Sequence, residues 1–258
     1  MFKELYDYRE LLLTNTKKAI RGKYKASFLG ILWSFINPLL QILVYAIVFP
    51  YLMRNTVDNY LVYLVTGIIP WTFFTTVIID SVSCIKNNAG LIKKVYFPRI
   101  ILPLSCTLSA LFNFFISCII ILVFCLIWGV GISWLIIFVP VIALIQTILS
   151  FGLGLIMSAC DAYVQDLEYI TNFIIQMAMY GTPIIYSLDQ FSESKSILFT
   201  LIKLNPLTTI MDSYRRVFLY HQLPDFQALV GVTIFSVTLM SIGLLIFNKL
   251  EKGFAEQF

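Results

Sequence analysis

From residue 29 onward the chain alternates long apolar runs with short polar or basic segments. The pattern predicts six membrane crossings, at about residues 29–53, 60–83, 100–127, 134–160, 167–188 and 226–248. Each approaches or exceeds the ~20 residues a helix needs to cross a hydrocarbon layer of ~30 Å. No charged residue occurs from Ile100 to Cys160, so this stretch must cross at least twice. Gly129-Val130-Gly131 is its predicted turn, with Trp128 and Trp134 placed in an interfacial belt. Pro38, Pro70, Pro103, Pro140 and Pro183 fall in or near spans, where neighbours can satisfy the freed carbonyls. The expected fold is an all-α integral membrane protein without internal repeats.

Ahead of the first run, residues 2–21 follow a helical period. Projected at ~100° per residue, Phe2, Leu5, Tyr6, Tyr8, Leu12, Leu13, Ala19 and Ile20 fall on one side. Lys3, Glu4, Asp7, Glu10, Thr14, Asn15, Lys17, Lys18 and Arg21 fall on the other, with Arg9 and Leu11 as exceptions. Such a helix lies in the plane of the lipid headgroups. It fits either an anchor that orients the first span by charge or a working contact with a partner. The chain thus divides into an amphipathic interface segment (1–28), a six-span domain (29–248) and a tail (249–258).

Composition agrees with lipid as the solvent. Hydrophobic residues make up 59% and charged residues 12%, with a mean hydropathy of +0.88; soluble domains carry roughly 45–50% and about 25%. The net charge of +4 is unevenly spread, with Lys3, Arg9, Lys17, Lys18, Arg21, Lys23 and Lys25 ahead of the first span. With both termini cytoplasmic, Lys86, Lys93, Lys94, Arg99, Lys249 and Lys252 join them inside. Arg54, Lys195, Lys203, Arg215 and Arg216 are left outside, in keeping with the positive-inside rule. The basic start has no apolar run of the kind that makes a signal peptide. Cys84, Cys106, Cys118, Cys125 and Cys160 lie in or at the ends of spans without a C-x-x-C pair, which favours packing over disulfide or zinc roles.

Residues 84–99 read CIKNNAGLIKKVYFPR, a short basic loop that Pro98 ends. Any cytoplasmic loop needs positive charge, and that is one reading of it. Leu91, Ile92, Val95, Tyr96 and Phe97 add apolar surface to a wet segment, which docking to a partner or to the N-terminal helix explains better.

Taken together, the amphipathic start, RGKYKASFLGILWSFINPLLQ at 21–41, LIKKVYFPRIILPLS at 91–105, the loop at 161–166 and LNPLTTIMDSYRRVFL at 204–219 resemble the ABC-2 type permeases. Those permeases export cell-surface polysaccharides such as O-antigen, capsule and teichoic acid. The resemblance covers nearly the whole chain. It implies a half-transporter of the bacterial cytoplasmic membrane that forms a homodimer and binds two copies of a nucleotide-binding ATPase subunit, with a lipid-linked glycan as substrate. Residues 2–21 would be its interface helix and residues 87–95 its coupling helix, with Asn87, Leu91, Ile92, Lys93, Lys94, Phe97 and Arg99 meeting the ATPase. Gate helices on the outer side would fall near 192–221, with Pro183, Tyr186, Asn205, Pro206 and Arg215 as gate residues. One departure is plain: where the family has an R-Y-R-D pattern between spans four and five, this chain has Tyr163-Val164-Gln165-Asp166. The Asp is kept and both arginines are absent, so the ion pairs this loop would make with the ATPase lack their cations.

The chain offers no ATP site of its own. Gly22-Lys23 lacks the P-loop frame, since Lys17 stands where the first glycine belongs; ATP would be bound by the partner, and no cofactor, metal or nucleic acid is expected. Ion coupling finds little footing, because Asp80, beside Ser81 and Ser83 near the inner end of its span, reads as interfacial. The spans instead hold neutral polar and aromatic residues: Asn37, Gln41, Tyr45, Tyr63, Trp71, Asn113, Gln146, Asn172, Gln176 and Tyr180. Such residues commonly join helices by hydrogen bonds, but a sugar chain needs the same neutral partners and flat rings. Tyr45, Tyr63, Trp71, Phe74 and Tyr180 are the candidate lining of a glycan path. Pro206 is expected to start a short helix after Asn205. Arg215-Arg216 reads as a solvated helix end or as a holder of phosphate or acidic sugars; His221 stands alone. The rival class is a membrane transferase acting on lipid-linked sugars, whose acid–base chemistry would fall to the cluster Asp161, Asp166 and Glu168. Capping of the helix that follows is the competing role of those acids.

Overall fold

Helices make up every extended element of this computed structural model, which describes residues 2–22, 30–53, 59–164, 166–188 and 197–254, and no strand occurs among them. In order they are α1 (Phe2–Asp7), α2 (Arg9–Gly22), α3 (Trp33–Met53), α4 (Tyr60–Asn87), α5 (Ala89–Ile92), α6 (Ile101–Ile127), α7 (Val139–Asp161), α8 (Leu167–Tyr180), α9 (Ile197–Leu204), α10 (Pro206–Phe218) and α11 (Phe226–Leu250). A 3-10 turn, Trp134–Phe138, leads into α7, and another, Glu251–Gly253, follows α11.

Four segments are long and apolar enough to cross a bilayer: Tyr60–Asn87, Ile101–Ile127, Trp134–Asp161 and Phe226–Gly253. These match the second, third, fourth and sixth expected crossings. The first corresponds to α3, whose 21 residues reach ~31 Å at ~1.5 Å per residue, although its apolar stretch Phe35–Val48 is shorter. The fifth departs from the pattern. Its helix, α8, stops at Tyr180 after 14 residues, or ~21 Å. Gly181 ends the helix and Pro183 cannot extend it, so residues 181–187 continue as turns. Ile184 and Ile185 are 0% and 4% exposed; their apolarity reflects burial in protein rather than a helix in lipid.

Burial ranks the helices. In α4, 78% of the apolar window is buried, against 22% in α11. α4 is therefore the central post, packed by α3, α6, α7, α8 and α10, while α11 lies against α7 and turns most of its surface outward. α7 and α11 approach at a pair of glycines: a Cβ on Gly243 would stand 2.6 Å from the Gly152 carbonyl oxygen, and one on Gly152 2.8 Å from the Met240 backbone. Small residues allow this backbone-to-backbone packing, which is a main source of helix association in lipid. The expected turn after α6 forms at Gly129 and Gly131, with φ of +71° and +80°, values that favour glycine.

The N-terminal segment breaks at Tyr8 into α1 and α2, and its buried face differs from the projected one. Tyr8, Leu11, Leu12, Asn15, Thr16, Ala19 and Ile20 are partly buried, whereas Tyr6 and Leu13 are 66% and 49% exposed. Leu11 and Asn15 thus join the inner face, and Tyr6 and Leu13 leave it. The shift follows from packing: α2 lies along α6, so its apolar stripe is set by that helix rather than by lipid alone.

Candidate functional site

Two assemblies stand out, one at each end of the bundle. The first gathers the basic elements. α4 ends at Asn88, whose side-chain amide donates to the Cys84 carbonyl at 2.8 Å; α5 then makes a single turn, residues 95–98 are irregular, and a turn at 99–100 leads into α6. Within this loop the apolar residues divide. Ile92 and Phe97 are 6% and 4% exposed, in a cluster with Ile101, Phe247 and Phe254 against which Tyr8, Leu11, Leu12 and Leu91 pack. Val95 and Tyr96 point away, 52% and 84% exposed. Lys93 and Lys94 are exposed, as is Asn87, and Arg99 is partly buried. Among the expected coupling residues, Phe97 and Ile92 therefore seat the loop on its own protein, and Leu91 is half-buried. Tyr96, which the sequence marks as apolar surface of the loop but the resemblance does not place among the residues meeting the ATPase, is the most protruding apolar group of the loop.

A closure from the far end of the chain holds this loop. The Arg99 guanidinium donates to the Glu251 carbonyl and stands 5.9 Å from the Phe254 ring. Phe254 is fully buried, edge-on to Phe247 at 5.6 Å and 6.2 Å from Tyr163. The Tyr163 hydroxyl donates to the Leu250 carbonyl at 2.8 Å. The loop before α6, the loop before α8 and the end of α11 become one unit. Gln165 lies outside the described residues. Asp166 occupies the N-cap position of α8 without a side-chain cap bond, and Asp161 is 1% exposed. The three acids proposed for acid–base work differ in setting, Asp161 buried, Glu168 half-buried and Asp166 exposed, and side-chain capping by Asp166 is not observed.

At the opposite end, the expected gate residues come together around the turns at 181–187. Arg215, on α10, is 3% exposed. Its two terminal nitrogens donate to the Pro183 carbonyl at 2.6 Å and the Ile184 carbonyl at 2.9 Å, and its Cζ lies 3.5 Å over the Tyr63 ring. The solvated-end reading fails for Arg215: turns in a buried segment expose carbonyls that need donors, and the guanidinium fork supplies two. Tyr60 and Tyr63 donate to the Ile185 and Tyr186 carbonyls at 2.9 and 2.7 Å, and Tyr186 donates to the Tyr180 carbonyl at 2.9 Å. Asn205 caps α10 by accepting from Leu207 N at 3.0 Å, with Pro206 at the first helical position as expected, while its amide donates to Gly181 O and Thr182 Oγ1. His221 holds the Val130 carbonyl at 2.8 Å, joining this end to the glycine turn. The part of the expected gate at 192–196 lies outside the described residues, as do Arg54 and Lys195.

The five expected path residues do not share one surface. Tyr63, Trp71 and Phe74 are 2%, 4% and 6% exposed inside the subunit, with Trp71 and Phe74 rings 5.6 Å apart. Nearby, Tyr214 donates to Gln146 Oε1 at 3.0 Å, and Gln146 donates to the Pro70 carbonyl at 2.8 Å: here the helix-joining reading of polar residues holds. Asn37 and Asn113 meet in a cavity of about 400 Å³ between α3, α4 and α6. Tyr45 is half-buried beside Met179, and Tyr180 is 65% exposed. Tyr180 belongs to a stripe on α8 with Tyr169 (76% exposed), Phe173 (62%) and the exposed Gln176. Their spacing puts them on one helix face. Tyr169 and Phe173 had no mark in the sequence beyond aromaticity, since exposure is decided by how α8 leans on α4.

Comparison with known proteins follows the same lines. Residues 10–219 match the family model described as ABC-2 type transporter. The chain is 33% identical over 256 residues to the O-antigen export system permease protein RfbA of Myxococcus xanthus, covering 99% of this chain and 98% of that one. It is 35% identical over 250 residues to the protein of the same name from Klebsiella pneumoniae, covering 96% and 94%. The polysialic acid transport protein KpsM of Escherichia coli is 22% identical over 243 residues, 92% of each chain.

Proposed function

Since the chain belongs to the ABC-2 type transporter family, we propose that it is the permease subunit of an exporter that carries a cell-surface polysaccharide, of the O-antigen kind, outward across the bacterial cytoplasmic membrane. Two copies pair, and each docks one copy of a separate ATPase on its basic, cytoplasmic end. The substrate is a lipid-linked glycan. Both termini are inside; α3, α4, α6, α7, α11 and α8 continued by residues 181–188 make six passages, and α9 and α10 form the gate on the outer side.

One observation supports this most: the basic loop is seated on its own protein through Ile92 and Phe97 yet holds Tyr96 84% exposed beside Lys93 and Lys94. An aromatic presented to water among cations is a docking feature, and the chain lacks a P-loop, so the partner supplies ATP. When the ATPase closes, its push on residues 89–97 passes through Phe97, Arg99 and Phe254 to α6 and α11, the helices that frame the bundle. The α8 stripe and Tyr45 then offer flat rings and neutral hydrogen-bond groups along the path. Neither set of geometry favours the transferase reading.

Affinity purification of the tagged chain from its host tests the proposal. A small P-loop ATPase should copurify, ATP turnover should require the complex, and deletion of the chain should strip a polymer from the cell surface. A chain that hydrolyses ATP alone, or whose deletion leaves all surface glycans in place, is something else.

A further inference from the structure

A cavity of about 700 Å³ lies beside the Arg215 knot, walled by the start of α4, the turns at 183–188, α9, α10 and the beginning of α11. It is within the roughly 300–1,000 Å³ typical of ligand sites. Its wall combines Tyr63 and Tyr220 with Asp212, Arg215, Arg216 and Gln222. Arg216 Nε donates to Asp212 Oδ2 at 2.7 Å, an ion pair whose side chains remain 35% and 49% exposed. Arg215 is the buried member. Both terminal nitrogens are engaged, but its Nε is buried and has no hydrogen-bond partner among the described residues. Nε is closed off from the cavity, so Arg215 contributes to this wall as a fixed positive charge held in place by the turn.

The lining identifies the chemistry. Lys203 adds a third cation, yet Asp212 and Asp225 stand in the same wall, which disfavours a bare anion such as phosphate. Carboxylate, guanidinium and amide groups around aromatic rings suit a ligand that both donates and accepts many hydrogen bonds and presents apolar C–H faces. Vicinal hydroxyls on a pyranose ring meet that description, and an acidic sugar is accommodated by the cations. We infer that this cavity is a saccharide subsite, which holds one or two sugar units of the exported chain on the gate side of the subunit, apart from the α8 stripe. The inference rests on the export reading above. Arg215 both braces the 183–184 turn and lines the cavity, so occupancy of the subsite bears on the turn that the gate helices stand on.

The test uses the complex of the chain with its ATPase in lipid nanodiscs. The probe is a fluorescently end-labelled oligosaccharide fraction released by mild acid from the host's own surface polymer, followed by anisotropy. Binding should saturate, and Asp212→Asn and Tyr220→Leu, both at the exposed rim, should each weaken it about tenfold, as expected for loss of one charge-assisted hydrogen bond or one stacking face. Asp225→Asn provides a second polar variant if Asp212→Asn fails to assemble. Absence of saturable binding, equal affinity in all variants, or full displacement by millimolar inorganic phosphate would each overturn the saccharide assignment. Loss of surface polymer on deleting the chain, with no oligosaccharide bound here, removes this subsite and leaves export standing; intact surface polymer removes the export reading itself.

Discussion

Arg215 shows how much one side chain can organise. Arg215→Ala leaves the Pro183 and Ile184 carbonyls without donors, at a cost of roughly 2–6 kcal/mol for two orphaned groups. The purified variant should melt well below wild type in detergent and become sensitive to protease near residue 184. Gly67 reports on the same knot, because a Cβ there would stand 2.9 Å from Arg215 Nη2 and 3.2 Å from the Ile184 carbonyl oxygen. Gly67→Ala should therefore lower the melting temperature in the same direction but by less, since a long side chain can yield. At the basic end, adjacent residues separate two roles. Tyr96→Ala, 84% exposed, should leave folding intact and reduce export or the coupling of ATP turnover to it. Phe97→Ala, 4% exposed, removes a core aromatic and should cost about 3–5 kcal/mol in stability. A thermal melt combined with ATPase and export assays on the complex distinguishes them; equal behaviour of the two variants speaks against the division.

Among the helices, the α7–α11 crossing and the α8 face carry opposite expectations. Gly243→Leu places a bulky group against the Gly152 backbone and should part the two helices, visible as loss of a monodisperse peak on size exclusion. Tyr169→Ala with Phe173→Ala removes exposed rings that touch little of the subunit, so the double variant should fold normally and export less polymer. Much of this level was readable in advance. The long apolar stretches, the Gly129–Gly131 turn and the Asn205–Pro206 start of α10 follow from local chemistry, which the sequence states directly. The end of α8 was harder: Ile184 and Ile185 look like span residues, and only their contact with Tyr63, Arg215 and α10 accounts for an apolar segment that is not helical. The inner face of the N-terminal segment departs from the projected one at Tyr6 in α1 and at Leu11, Leu13 and Asn15 in α2 for a related reason, because the α2 stripe is set by α6, a distant part of the chain. Tyr63, Trp71 and Phe74 carry residue types suited to a sugar path, but a residue type cannot tell a lining position from a core one.

For the molecule as a whole, the charge distribution sorts the two ends. The basic end carries the loops tied together by Phe254, and the other end carries the buried arginine, the ion pair and the polar cavity. Between them the outward surface is apolar on α3, α6, α8 and α11, yet among the described residues only α8 combines it with exposed tyrosines and a glutamine. In a homodimer whose path runs between copies, α8 should face its counterpart. Phe173→Cys in a background cleared of the five native cysteines should then cross-link between copies with a bifunctional thiol reagent. Leu245→Cys on α11, 72% exposed, should not. Cross-linking from α11 alone would put the path elsewhere.

The tie between Arg99 and Glu251 joins positions 152 residues apart, and that separation has a bearing on biogenesis. A ribosome inserting this protein delivers the loop before α6 long before the segment that covers it. Through most of synthesis Phe97 and Tyr163 wait uncovered at the membrane surface, and only after α11 has inserted does Phe254 slide beneath them. For the docking proposed above, the complete surface is thus a late product of translation, which would order subunit recruitment after insertion rather than alongside it.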